Sequence, residues 1–211
     1  YISKGGDLTS MIAEIYGKKT GCAHGKGGSM HLIDLSVNFM GTSAIVGNSI
    51  PVGVGLALST QLKNTNQVSF VFLGDGAVEE GVFYESVNFA IVRKLPVIFI
   101  CENNSYSVYS PLKPRQPKNR KIYEMVKGLG IASEYFDGQN ILECFNGFKS
   151  AYENVLKNKL PYFLEFSTYR WREHCGPNFD DDLGYRDDEE IKNWIENCPL
   201  KKIELDLEID K

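Results

Sequence analysis

Residues 68–104 read VSFVFLGDGAVEEGVFYESVNFAIVRKLPVIFICENN. Two short apolar runs frame this stretch, Val68 to Leu73 and Pro96 to Cys101, both rich in β-branched and aromatic residues and bounded by turn formers. Runs of that length and composition are the signature of strands buried on both faces. Between them Phe83, Val87, Ala90 and Ile91 recur at helical spacing, so the unit reads strand, helix, strand: a βαβ crossover with parallel strands. A third strand is expected at Tyr162 to Ser167, after a helix-like segment from Leu142 to Leu156. Strands alternating with helices predict an α/β fold, a doubly wound and mostly parallel sheet whose ligands bind at the carboxyl ends of the strands.

Upstream, Asp7 can cap a helix in which Leu8, Met11, Ile12 and Ile15 share one face and which Gly17 ends. Residues 20–30, TGCAHGKGGSM, hold four glycines and no periodicity, as in loops that need close backbone approach. SIPVGVGLALSTQL then predicts a helix with Ser49 as its cap and Pro51 in its first turn. Gly53, Gly55 and Ala57 should let that helix pack closely against another helix or a cofactor. Downstream, Ser110 to Arg120 carries three prolines and four basic residues and reads as a mobile loop. Asp187 and Glu190 form a candidate capping box for the final helix, and Asp180 to Asp182 read as an exposed acidic loop.

The whole chain of 211 residues has ordinary globular composition, 43% hydrophobic and 24% charged. A formal charge of −4 provides no field for a nucleic-acid backbone or an anionic membrane. The longest weakly polar stretch, Ile50 to Ser59, is half the ~20 residues a membrane span requires. Neither nucleic acid nor membrane is expected as a partner. Five cysteines, without a CxxC pair, are expected to be free thiols in a reducing cytoplasm. The chain opens at Tyr1 without a methionine, so an upstream segment is expected to be missing, and any organelle address written there is not visible in this sequence.

The two predicted strand ends carry the chemistry. Gly74-Asp75-Gly76 follows the first strand and Glu102-Asn103-Asn104 ends the second, so both deliver oxygen donors to one sheet edge. An Asp and an Asn in such places otherwise satisfy local turn backbone. A carboxylate, an amide oxygen and glycine N–H groups together suit Mg²⁺ bridging to a diphosphate, because Mg²⁺ takes oxygen ligands from one or two carboxylates plus phosphate.

GDG, then 26 residues from Ala77 to Glu102, then Asn103-Asn104 resembles the thiamine diphosphate motif. Together with GCAHGKGGSMH (21–31), AIVG (44–47), LPVIFICENN (95–104) and TYRWREHCGPNFDDDLGYR (168–186), in that order, the chain resembles one family. That family is the alpha subunit of the decarboxylating, thiamine-dependent component of 2-oxo acid dehydrogenase complexes, of the pyruvate, branched-chain and acetoin kind. The likeness covers Gly5 to Ile195 and implies a single thiamine diphosphate-binding domain over residues 1–211. It implies Mg²⁺ held by Asp75, Asn104 and the Tyr106 carbonyl, with Gly74, Gly76 and Ala77 at the diphosphate. Ala44, Ile45 and Val46 would line the aminopyrimidine, and His174 would reach the diphosphate and act as the catalytic proton handler.

The likeness further implies a beta subunit that supplies the activating glutamate in an alpha2-beta2 assembly, and a lipoyl acyltransferase as acyl acceptor. Departures narrow it. A Tyr-Arg pair for diphosphate lies in relatives just upstream of the position of Tyr1, His24 stands where many carry Lys or Arg, and Arg172 replaces a histidine. Cys175 takes the place of a regulatory serine. Acetoin dehydrogenase, half of a split transketolase-like enzyme and a non-catalytic assembly subunit are the competing functions. A chain with three histidines is poor in the sugar-phosphate ligands the transketolase reading needs.

Overall fold

A computed structural model of the chain describes residues 1–207. The elements are α1 (Leu8–Ile15), α2 (Ser49–Leu62), β1 (Ser69–Gly74), α3 (Gly81–Arg93), β2 (Val97–Asn103), the hairpin strands β3 (Tyr106–Ser107) and β4 (Ser110–Pro111), α4 (Leu112–Arg115), α5 (Ile122–Lys127), β5 (Ala132–Asp137), α6 (Ile141–Asn158), β6 (Tyr162–Ser167), α7 (Asp188–Glu196) and α8 (Pro199–Asp206). The main sheet has the order β1-β2-β6-β5, every neighbouring pair parallel. β1 and β2 run in the register Leu73 to Cys101 and Gly74 to Glu102, so the two expected donor clusters leave the same edge.

The sheet separates two apolar layers. On one face Val71, Val97, Phe99 and Phe163 pack with Phe83, Val87 and Ala90 of α3 and with Ile50 and Ala57 of α2. On the other, Ile98, Ile100 and Leu164 pack against Ala151 and Val155 of α6. The Phe83 ring meets Phe99 and Phe163 edge-on at centroid distances of 6.3 and 6.0 Å. Burial of such a side chain is worth ~1.5–3 kcal/mol, so β2, buried from Val97 to Cys101, is the axis of the fold.

Gly53 of α2 packs directly against β1. A Cβ at Gly53 would collide with the Val71 side chain of β1, and the Gly53 carbonyl accepts the Ser69 hydroxyl at 2.8 Å; Gly55 faces open space. Gly53→Ala should therefore lower stability by ~1–3 kcal/mol through overpacking, whereas Gly55→Ala should be neutral or stabilising, as chemical denaturation of the two variants will measure.

Ser49 is the first helical residue rather than the cap, which is Asn48, and no side chain caps that end. Asp7 does cap α1, accepting from Thr9 and Ser10 N–H at 3.2 and 2.9 Å. The apolar face of α1 is largely outside: Leu8, Ile12 and Ile15 are each about half exposed, while Glu14 is fully buried. Asp187 caps α7 by accepting Glu189 N–H at 3.0 Å, but Glu190 points its carboxylate to the Tyr106 hydroxyl, so no reciprocal box forms, and α8 follows α7. β5 and α5 had no expected counterpart: β5 pairs only with β6 and alternates exposed and covered residues without an apolar run. Among the described residues no helix is long and apolar enough to cross a membrane.

Candidate functional site

Parallel pairing brings the end of β1 and the loop after β2 together. Asp75 opens a short 3-10 turn, Asp75–Glu79, in which Asp75, Ala77 and Val78 are buried. Gly76 lies against Ser107, whose hydroxyl a Cβ at position 76 would crowd at 2.8 Å, so a side chain there would displace Ser107 at this contact between the two loops. Asn104 Oδ1 accepts the Tyr106 N–H at 3.0 Å, an Asx turn that fixes the amide oxygen and retains a second lone pair. Ser105 and Val108 both adopt left-handed backbone, φ +66° and +56°, which folds the chain sharply after β2.

Asn103 plays a different part from its neighbour. Its Nδ2 donates to Glu165 Oε1 at 2.7 Å, and Glu165 Oε2 accepts the Tyr123 N–H at 2.7 Å. Burial raises the Glu165 carboxyl above its usual range, with the nearby Asp75 charge acting the same way and the two hydrogen bonds opposing. Glu165 thus clamps β2, β6 and α5 beneath the site.

Asp75 is paired within the chain. Arg115 of α4 donates through Nη2 to Asp75 Oδ2 at 2.5 Å and through Nη1 to Glu79 Oε1 at 2.6 Å. A carboxylate with 2% of its side chain exposed needs such a partner, since an unpaired buried charge is costly. Oxygen donors only, one buried carboxylate that holds a cation, and a glycine that leaves backbone N–H accessible fit a hard divalent ion with a diphosphate. Among the described residues no cluster of three or more His, Cys, Asp and Glu side chains could hold a metal, so such an ion would depend on Asp75, an amide and a carbonyl.

The glycine-rich loop is built around Glu14. Its carboxylate accepts four backbone N–H groups: Ala23 and Gly25 at 2.8 Å on Oε2, Gly27 at 2.6 Å and Gly28 at 3.2 Å on Oε1. Desolvation pushes the Glu14 pKa up, but the four N–H bonds outweigh it and hold the carboxyl below its usual range. Gly25 and Gly28 have φ +75° and +58°, and side chains at Gly21 or Gly27 would meet Glu14 or the His31 carbonyl. At the loop's far end the Thr42 hydroxyl accepts Leu32 N–H and donates to the Met30 carbonyl, both at 2.9 Å. That tie leads directly to Ala44, Ile45 and Val46, all exposed, and to Gly47, which packs beside Glu80 and Val82 at the start of α3.

His174 is exposed on the segment after β6, and among the described residues its side chain makes no hydrogen bond. The segment is anchored on either side of it. Asp180 is buried, not part of an exposed acidic loop: it pairs with Arg170 at 3.1 Å and Arg186 at 3.2 Å and accepts the Tyr185 hydroxyl at 2.6 Å. Arg186 lies over the rings of Tyr106, Tyr169 and Tyr185. Arg170 also donates to the Val108 carbonyl at 3.1 Å, linking this segment to the loop after β2. Burial, then the 2.6 Å bond to Glu190, pushes the Tyr106 phenol up to about 12, so it remains a proton donor in this network.

The structure therefore unites Asp75, Gly76, Ala77, Asn104 and Tyr106, with Gly74 exposed at the rim. It adds Glu14, Arg115, Glu165 and Asp180, which motif spacing does not reveal. Arg115 had a signal as one of the cations in a proline-rich loop, and Asp180 was noticed only as part of an acidic run expected to be exposed.

The family profile described as "Dehydrogenase E1 component" matches residues 1–208. The chain is 42% identical over 190 residues to the pyruvate dehydrogenase E1 component subunit alpha of Rickettsia felis, covering 90% of the chain and 57% of that protein. It is 36% identical over 207 residues to the protein of the same name from Zymomonas mobilis, covering 98% of the chain and 57% of that protein. The mitochondrial alpha-2 subunit from Arabidopsis thaliana is 38% identical over 176 residues, 82% of the chain and 43% of that protein. The chain thus spans about half the length of the curated relatives it matches. In fold it is similar to the crystal structure of benzoylformate decarboxylase from Polynucleobacter necessarius, with TM-score 0.50 and 19% identity over 67% of this chain and 27% of that one.

Proposed function

The chain belongs to the dehydrogenase E1 component family, and from that premise we propose that it is the alpha-type subunit of a thiamine diphosphate- and Mg²⁺-dependent 2-oxo acid dehydrogenase of the pyruvate type. The observation that carries this reading is the buried Asp75 carboxylate at the end of β1, holding a cation beside Gly76 and the Asn104 loop. When bound, thiamine diphosphate supplies the electron sink for breaking the bond between a carboxylate and a carbonyl carbon.

The protein's residues position and charge that site. Asp75, Asn104 and the Tyr106 carbonyl hold the Mg²⁺, and backbone N–H groups at Gly76 and Ala77 meet the diphosphate, with Gly74 giving clearance at the strand end. Ala44, Ile45 and Val46 provide the wall for the aminopyrimidine. His174 moves a proton at the reacting centre during acyl transfer, and Arg170 and Asp180 fix the ends of its segment.

A beta-type partner supplies the glutamate that activates the cofactor, in an alpha2-beta2 assembly that passes its acyl group to a lipoyl acyltransferase. The half-exposed apolar side chains Leu8, Ile12, Ile15, Ile45 and Val46, all on the N-terminal part of the chain, support a covering partner. Five unpaired thiols support a reducing compartment, cytoplasmic in a bacterium. The full-length protein co-purified with its beta-type partner should decarboxylate pyruvate with thiamine diphosphate and Mg²⁺, measured by CO₂ release with an artificial electron acceptor. Neither polypeptide alone should turn over. Steady pyruvate turnover by the alpha-type chain alone would overturn the shared site.

A further inference from the structure

We propose that Arg115 is the protein's own occupant of the cation position, and that it sets the affinity for the divalent ion by competing with it for Asp75. The inference rests on the reading of Asp75 as the metal carboxylate. It names a residue that resists loading.

The Arg115 guanidinium uses every face. Beyond Asp75 and Glu79, its Nε donates to the Ser110 and Pro111 carbonyls at 3.1 and 3.2 Å, closing α4 back on the hairpin. Gln116 adds a bond to Glu79 Oε1 at 2.9 Å. Residues 110–116 are thereby latched onto the 3-10 turn that carries Asp75. The latch holds the end of a basic loop, residues 110–120, which spans a cleft of about 850 Å³ lined by Lys113, Gln116 and Lys118, with Glu165 also on its wall. The loop therefore has room to move when released.

A divalent ion on Asp75 and a guanidinium on the same carboxylate are like charges in a poorly solvated place, where their repulsion is strong. One must leave. Because the ion pair exists only in the unloaded state, its free energy is subtracted from that of metal binding, and removing it tightens the metal. Glu79 keeps half of the latch in place, so the arginine can shift from two carboxylates to one without becoming unpaired.

The test uses the complete protein with its partner subunit, and Mg²⁺ alone and then Mg²⁺ with inorganic diphosphate as probes. Calorimetry should show Arg115→Gln binding Mg²⁺ roughly tenfold or more tighter than the wild type, with Arg115→Lys between them, the scale of one charge-assisted hydrogen-bonded pair. Trypsin should cut the unloaded wild type slowly at Lys118 and Arg120, and faster once Mg²⁺ and diphosphate are added. Arg115→Gln should be cut fast at the outset, while its near-UV circular dichroism stays that of a folded protein. Equal Mg²⁺ affinity in wild type and both variants overturns the competition and leaves the metal assignment standing. Absence of Mg²⁺ binding by all of them overturns both. If Arg115→Gln does not fold, the Lys variant decides: unchanged or weaker Mg²⁺ binding there overturns the proposal.

Discussion

Asp75→Asn is expected to weaken Mg²⁺-dependent binding of thiamine diphosphate by at least about a hundredfold and to reduce decarboxylation to roughly 1% or less, the scale of removing one member of a buried charged pair, ~3–5 kcal/mol. The donor set explains the size. In the proposed set Asn104 and the Tyr106 carbonyl are neutral, so Asp75 would be its only charge, and Mg²⁺ gives up its water reluctantly. Asparagine conserves volume in a buried position, and Arg115 keeps Glu79 at 2.6 Å, so the fold should persist; unchanged near-UV circular dichroism will establish that. A second readout lies in the interior. The Asp75 charge contributes to raising both Glu165 and Cys101, whose larger common cause is burial. Removing it should move the Glu165 titration downward, visible by carboxyl NMR, in the absence of any cofactor. Cofactor affinity within a few-fold of wild type would show that the metal is held elsewhere.

The difference between what the sequence discloses and what it hides follows from where each signal is stored. β2 is legible because both faces are buried, so its apolar run is unbroken from Val97 to Cys101. β6 is read for the same reason, whereas β1, expected to be buried on both faces, is an edge strand that is legible by its apolar composition although Phe70 and Phe72 are exposed. β5, an edge strand with exposed Glu134 and Tyr135, has no such run, and the six residues of α5 are too few to establish a period. Asp75 and Asn104 are legible because each lies immediately after a strand, so local spacing implies convergence. Arg115 and Asp75 are 40 residues apart and Glu165 and Asn103 are 62 apart, and only the folded sheet brings them together. α1 misleads for a related reason. Periodicity identifies its apolar face but does not say whether that face turns inward, and here the inward position belongs to a glutamate.

That glutamate supports the second large effect. Glu14→Ala should release residues 21–31, because four N–H groups converge on one carboxylate and no other acceptor replaces it. Glycines that fold a loop this tightly also give the unfolded loop the most freedom, so the carboxylate supplies the order that the sequence of the loop withholds. Hydrogen exchange at Ala23, Gly25, Gly27 and Gly28 should accelerate by about a hundredfold or more, as expected for loss of several hydrogen bonds, each ~1 kcal/mol or above. Through Thr42 the disorder should extend to Ala44–Val46 and lower affinity for the intact cofactor more than for inorganic diphosphate. The pH dependence has a definite sign. Four N–H bonds hold the Glu14 pKa in the folded loop below its ordinary value of 4.5, against the desolvation that raises it. Its stabilisation is therefore complete above the unfolded pKa and declines as pH falls through the folded one. The wild-type loop should open on the acid side of 4.5, while Glu14→Gln, which has one acceptor oxygen and no charge, should be partly open at neutral pH and insensitive to acid in that window. Equal protection in wild type and Glu14→Ala would mean the glycines hold their conformation unaided.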